Sequence, residues 1–234
     1  MATNESLKEQ LAKRNGRKPA ENGNGEPITL KALLASPKVK KRFEEVLDKR
    51  APQFMTSIVN LYSNDSGLQK CDPMTVISSA MVAASLDLPI DKNLGYAWIV
   101  PYGTKAQFQL GYKGYIQLAL RTGQYKNINV IEVYEGELIK WNRLTEEIEL
   151  DFEQRKSDKI IGYVGYFELI NGFEKTVYWS KEEIEAHRKK FSKSDFGWKN
   201  NYDAMAKKTV LRNMLSKWGI LSVDMQKAYI EDTK

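Results

Sequence analysis

The sequence predicts an α+β protein, and three observations carry that reading. Helix-start signals cluster in the first third, alternation of apolar and polar residues around short glycine turns takes over from Gly95, and helical spacing returns after Ser180. The expected architecture is a helical N-terminal part, a central antiparallel β-sheet built of hairpins, a helix packed on it after the first hairpin, and a long C-terminal helix. A chain of 234 residues can bury such a core without disulfides or a structural metal.

Residues 1–27 are rich in Lys, Asn, Gly and Glu and poor in large apolar residues, which predicts a flexible leader. Residues 28–234 are then one domain, helical over 28–92, mainly β over 93–180, and helical again over 181–234. Ser36-Pro37 reads as an N-cap with proline in the first turn, opening a helix to about Lys49; a second helix is expected near 52–62. Asp72-Pro73 repeats the signal for a helix to about Leu86. Next, YAWIVPY and KAQFQL flank Gly103-Thr104, a two-residue turn with glycine first, as a primed hairpin turn prefers. Gly123 ends the following helix. Strands are expected near 127–134, 137–141 and 147–152, and Asn171-Gly172 joins IIGYVGYFELI to FEKTVYW as a second hairpin. Ser180 and Glu183 form a capping box that opens a helix to about Lys190, and a long helix is expected from about Lys199 to Trp218.

Composition excludes several classes of function. No apolar run approaches the roughly 18 residues of a membrane span, and the N-terminus lacks the apolar core of a secretion signal, so a cytoplasmic protein without membrane contact is expected. One cysteine (Cys71) and one histidine (His187) cannot make a disulfide or a His/Cys zinc site; Cys71 reads as a buried filler and His187 as a surface residue. There is no G-x-x-x-x-G-K-[ST] and no H-E-x-x-H, and the carboxylates of 132–186 lack the grouping with lysine of a metal-dependent nuclease. No catalytic residue, metal or cofactor is expected, and the chain is not read as an enzyme.

Charge is informative once it is located. The net is +6, yet residues 92–131 hold five basic residues and no carboxylate, 132–186 carry −7, and 187–218 carry +7. Two basic blocks therefore flank an acidic one, and a fold that joins the basic blocks presents a surface for a polyanion. In the first hairpin, alternation puts Ala97, Ile99, Pro101, Ala106, Phe108 and Leu110 on one apolar face. The other face holds Tyr96, Trp98, Val100, Tyr102, Lys105, Gln107 and Gln109, suited to stacking on bases and bonding phosphates. The plain alternative is a second packed layer with a polar rim.

In the next helix Tyr112, Tyr115, Ile116, Ala119 and Leu120 share an apolar arc, and Lys113, Gln117 and Arg121 form a basic ridge beside Gly114. Its first turn offers backbone N–H groups that glycine at 111 or 114 would let a phosphate approach. On the long helix Ala206, Val210, Leu211, Met214, Leu215 and Trp218 define an apolar arc, with Asn201, Met205, Lys208 and Arg212 on a separate flank. Lys207 falls inside the arc, where an ammonium needs a partner or a route to an external anion. Upstream, Phe191, Phe196 and Trp198 interleave with Lys190, Lys193 and Lys199.

These segments, namely Asp72-Pro73, LDLP at 86–89, AWIVPYG at 97–103, QLGYKGYIQLALRTG at 109–123 and WKNNYDAMAKKTVLRNMLSKWG at 198–219, resemble the RecT single-strand annealing proteins of phages and prophages. These are functional relatives of the lambda Red beta protein, and the likeness covers about residues 30–225. The sequence looks most like a RecT from a prophage of a Gram-positive host such as Listeria. The resemblance implies ATP-independent binding of single-stranded DNA, annealing into duplex, and assembly into rings or helical filaments in phage homologous recombination. The implied partners are a phage 5′ to 3′ exonuclease and host single-strand binding protein. On this reading the DNA groove is walled by Lys105, Gln107, Gln109, Lys113, Gln117 and Arg121 on one side and Lys199, Lys207, Lys208 and Arg212 on the other. Trp98, Tyr112, Tyr115 and Trp198 are its aromatic candidates. The acidic 132–186 block is expected to meet the basic surface of a neighbouring subunit. The rivals are a binder that protects single strands without annealing them, an assembly protein with acidic partners, and a nuclease.

Overall fold

A computed structural model describes residues 29–192, 195–220 and 222–233. The expected leader 1–27 and Lys193 lie outside the described residues. The chain divides into two compact units: the residues up to Asp87 together with Ile99–Gln107, and Leu88–Trp98 together with the residues from Phe108 onward.

The first unit holds helices α1 (Leu30–Ala35), α2 (Pro37–Leu47), α3 (Ala51–Ser63) and α4 (Pro73–Ser85). Ser36 caps α2 by accepting the Val39 N–H, and Asp72 caps α4 by accepting the Met74 N–H at 2.9 Å, both ahead of a proline in the first turn. Helix α1 lies in the part expected to be helical, though its start was not placed; the Thr29 hydroxyl caps it by accepting the Ala32 N–H. Phe43, Ile58, Leu68, Val76 and Ala80 form the core of this unit, each larger side chain contributing about 1.5–3 kcal/mol on burial.

The first hairpin comprises β1 (Ala97–Tyr102) and β2 (Lys105–Leu110), turning at Gly103 with φ +58°, a value a primed turn requires. Within the first unit α4 satisfies its edge. The Thr75 hydroxyl accepts the Ala106 N–H at 2.9 Å, the Ser79 hydroxyl donates to the Ala106 carbonyl at 3.1 Å, and the Asp72 N–H donates to the Thr104 carbonyl at 2.8 Å. The alternation holds: Ala97, Ile99, Ala106, Phe108 and Leu110 are buried, while Lys105 is exposed and Trp98, Gln107 and Gln109 are half-buried. Cys71 is buried, as its reading as a filler requires.

The second unit is built on an antiparallel sheet of β3 (Tyr125–Tyr134), β6 (Ile160–Leu169) and β7 (Glu174–Ser180), with β6 central. Strands β4 (Leu138–Asn142) and β5 (Glu147–Leu150) pair only with each other, so the expected strands form separate sheets. Helix α5 (Tyr112–Arg121) follows the hairpin and ends before Gly123, whose φ of +67° is the left-handed stop the sequence predicts. Helix α6 (Lys181–Phe191) carries the predicted capping box between Ser180 and Glu183.

The single long helix expected over 199–218 is broken. Asn201, at φ −145° and ψ 58°, separates α7 (Phe196–Asn200) from α8 (Tyr202–Trp218). Helix α8 lies on the sheet at Gly165, where any side chain would meet Val210 Cγ1 at 2.9 Å and Met214 Cε at 3.3 Å. Ala206, Val210, Leu211, Met214 and Leu215 are fully buried, whereas Trp218 is half-exposed with the Lys175 ammonium 3.6 Å from its ring centre. On α5 the buried arc turns toward Tyr115, Leu118 and Ala119, leaving Leu120 out. A final helix, α9 (Val223–Thr233), lies in the part expected to be helical, where no individual helix had been placed. No described helix is long and apolar enough to cross a membrane.

Candidate nucleic-acid interface

Helix α5 starts directly from β2 because two glycines allow it. The Gly111 N–H donates to the Tyr96 carbonyl at 2.9 Å, a side chain at 111 would overlap the Gly95 carbonyl oxygen, and one at 114 the Tyr96 carbonyl oxygen. The space beside these glycines is filled by the backbone of 95–96, so the phosphate expected to approach there finds it occupied. Their smallness serves helix seating.

The outer side of α5 carries the predicted ridge. Lys113 and Arg121 are exposed and Gln117 lies half-buried between them. Trp98 stands at the head of this ridge: a side chain at Gly95 would touch Lys113 Cδ at 3.8 Å and Trp98 Cζ2 at 3.9 Å. A half-exposed indole and a lysine stem therefore both border one glycine, residue types that can stack a base and neutralise a phosphate. Tyr112 and Gln109 are half-buried nearby in sequence. Among the described residues no carboxylate pairs with Lys113 or Lys105.

The inner side of α5 leads to a different constellation. Tyr115 is fully buried, and its hydroxyl donates to Asp232 Oδ2 at 2.9 Å. Asp232, on α9, also accepts the Leu110 N–H at 2.9 Å and pairs through Oδ1 with the Lys208 ammonium at 2.8 Å; the Arg212 guanidinium stands 3.9 Å from Oδ2. The Asp232 side chain is 1% exposed and that of Lys208 13%. Burial, and then the Asp232 charge, push the Tyr115 phenol well above its ordinary pKa, so it stays a proton donor. The Tyr229 ring lies 5.2 Å from that of Tyr115, tilted by 50°, and its hydroxyl donates to the Arg212 carbonyl at 3.2 Å.

The remaining predicted residues lie on other elements. Lys207 finds the partner its position demanded, Glu132 of β3, at 2.6 Å. Trp198 is a core residue, 4% exposed, edge-on to Tyr202 at 5.5 Å and 5.7 Å from the Arg188 guanidinium, so in this structure it offers no face to a base. The same holds for Tyr115. Lys199 is exposed on α7. Lys105 and Gln107 belong to the first unit. His187 is half-buried between Trp179 and Phe191, with ring centres at 5.5 and 4.6 Å, and not the surface residue expected.

Sequence reasoning missed Asp232 and Glu132. For Asp232 a signal existed, since Ser222 caps α9 by accepting the Met225 N–H at 3.1 Å and Met225, Ala228 and Tyr229 follow at helical spacing.

The chain is 70% identical over 232 residues to the uncharacterized protein YqaK of Bacillus subtilis (strain 168), covering 99% of this chain and 81% of that protein. It is 26% identical over 244 residues to Protein RecT of Escherichia coli (strain K12), covering 97% of this chain and 88% of that protein. The RecT family profile matches residues 52–234. The chain therefore belongs to the RecT family, the single-strand annealing proteins of DNA recombination.

Proposed function

We propose that the chain binds single-stranded DNA and anneals complementary strands without ATP, through the ridge Lys113–Gln117–Arg121 with Trp98, Gln109 and Tyr112 beside it. The observation that carries this is that Lys113, exposed and with no carboxylate partner among the described residues, borders Gly95 together with the half-exposed Trp98 indole. Annealing without nucleotide hydrolysis requires phosphates to be held while base edges stay free, so cationic and stacking contacts fit it better than base readout. Lys105 and Gln107 in the first unit and Lys199 on α7 are proposed as further, separate phosphate contacts. Tyr115 and Trp198 are left out of the surface because they are core, and Lys207 because Glu132 neutralises it.

The chain acts on this reading as an oligomer on the strand, in the bacterial cytoplasm, beside a 5′ to 3′ exonuclease and host single-strand binding protein. The β4–β5 hairpin, with exposed Glu147 and Glu149, supports a contact with the basic surface of the next subunit. Mixing two complementary oligonucleotides with the protein, in EDTA and without ATP, tests the reading. Faster duplex formation is the expected result, and it should be lost in the Lys113→Ala, Arg121→Ala double variant. A protein that only protects would slow pairing, a nuclease would require metal and shorten the strands, and an assembly protein would ignore the DNA. Dispersed subunits on long single strands at moderate salt would remove the oligomer.

A further inference from the structure

We infer that the pocket formed by Lys208, Arg212, the Tyr115 hydroxyl and the Leu110 N–H is a second phosphodiester site, held shut in the free protein by Asp232 of α9. This inference rests on the single-stranded DNA reading above.

Four donors of the described residues surround Asp232: an ammonium at 2.8 Å, a phenol at 2.9 Å, a backbone N–H at 2.9 Å and a guanidinium at 3.9 Å. Two cations surround one carboxylate, and the donors divide between its two oxygens. A phosphodiester presents the same pattern, one negative charge shared by two non-bridging oxygens, so the carboxylate stands where a phosphate fits. The pocket is built from the inner side of α5, whose outer side carries Lys113 and Arg121, and from α8. One helix thus serves both sites.

Asp232 is poorly placed for its own helix. It lies in the last turn of α9 next to Glu231, with no basic residue in that turn, where the helix dipole disfavours negative charge. The packing of α9 is confined to one side, where the Tyr229 ring lies 5.2 Å from that of Tyr115. Met225 and Ala228 are buried, but Val223 and Ile230 are 80% and 62% exposed. The cationic pocket is therefore one tether of α9 beside this packing, and a tether made of one anion is open to exchange by another. An internal carboxylate competes at high effective concentration, so an isolated phosphate is kept out. A strand already bound along the outer ridge brings its next phosphates at comparable local concentration and displaces Asp232. In this way α9 lowers the affinity for weak or passing anions and releases when a strand is engaged.

The test uses the full chain. Hydrogen exchange of the wild-type protein, free and saturated with oligothymidylate, should show the α9 amides losing protection on binding while those of α8 keep theirs. Asp232→Asn, which retains an acceptor for the Leu110 N–H but not the charge, should bind the same oligothymidylate about tenfold tighter. Unchanged or raised α9 protection in the saturated complex overturns the inference, whatever the variant does. If the wild type binds and anneals while α9 stays protected, the annealing reading survives and only the latch falls. If neither protein binds oligothymidylate, both fall.

Discussion

Two basic ridges that read alike in the sequence have opposite fates in the structure. Lys113, Gln117 and Arg121 repeat at one face of α5, and Lys208 and Arg212 repeat one turn apart on α8. Lys113 is exposed with no carboxylate partner among the described residues, whereas the Lys208 side chain is 13% exposed and bound to a carboxylate that is itself 1% exposed. Helical spacing reports which face a cation occupies. It says nothing of a counter-charge arriving from another helix 24 residues downstream. A cation on an amphipathic helix becomes a nucleic-acid candidate only after its nearest acid has been located.

The largest test of this contrast is stability. Lys208→Ala would leave Asp232 buried with its main cation gone, at a cost of about 3–5 kcal/mol, whereas Lys113→Ala should stay within about 0.5 kcal/mol of wild type. Urea unfolding of the two variants decides it, and equal losses would break the comparison. A smaller effect is expected from Gly114→Ala, whose methyl would overlap the Tyr96 carbonyl oxygen. Forcing α5 off its seat should cost about 1–3 kcal/mol and lower annealing in step, because the ridge moves with the helix. A variant with wild-type melting and normal annealing would show that α5 is not seated by that contact.

Much of this was legible locally. Ser36-Pro37, Asp72-Pro73, Gly103-Thr104, Gly123 and the Ser180/Glu183 pair each signal their element because the groups that satisfy the backbone lie within four residues of it. The hairpin faces were legible for the same reason, a two-residue period against one core. The break at Asn201 was not, since the pattern of apolar residues runs on through it toward Trp218. Nor were the partners of Lys207 and Lys208, because Glu132 and Asp232 reach them only after the sheet and the last helix are folded. Tyr115 and Trp198 illustrate the same limit: an aromatic residue beside cations fits a stacking platform and a core equally well until its burial is known.

The third test compares single cations in binding. Lys113→Ala should reduce the dependence of log affinity on log salt by about one phosphate contact and weaken binding alike on all sequences. Lys207→Ala, which breaks an internal pair with Glu132, should leave that slope unchanged. Titrating fluorescent oligothymidylate over a salt series measures both. Equal slopes for Lys113→Ala and wild type would remove Lys113 from the interface.

The finest probe of the α8 flank is His187, the one histidine of the chain. Burial between Trp179 and Phe191, and next the Arg212 charge, hold its pKa below the ordinary 6.5. The unfolded chain therefore takes up this proton first, and the contribution of His187 to stability, full above pH 6.5, is lost as pH falls through and below that value. Replacing His187 with Gln should flatten this part of the stability profile. Because Asp232 stands 3.9 Å from the Arg212 guanidinium, it also screens the field that Arg212 exerts on His187. Asp232→Asn should consequently push the His187 pKa slightly further down in a proton NMR titration. A rise, or no change, would mean that the Asp232 charge does not act on His187 through Arg212.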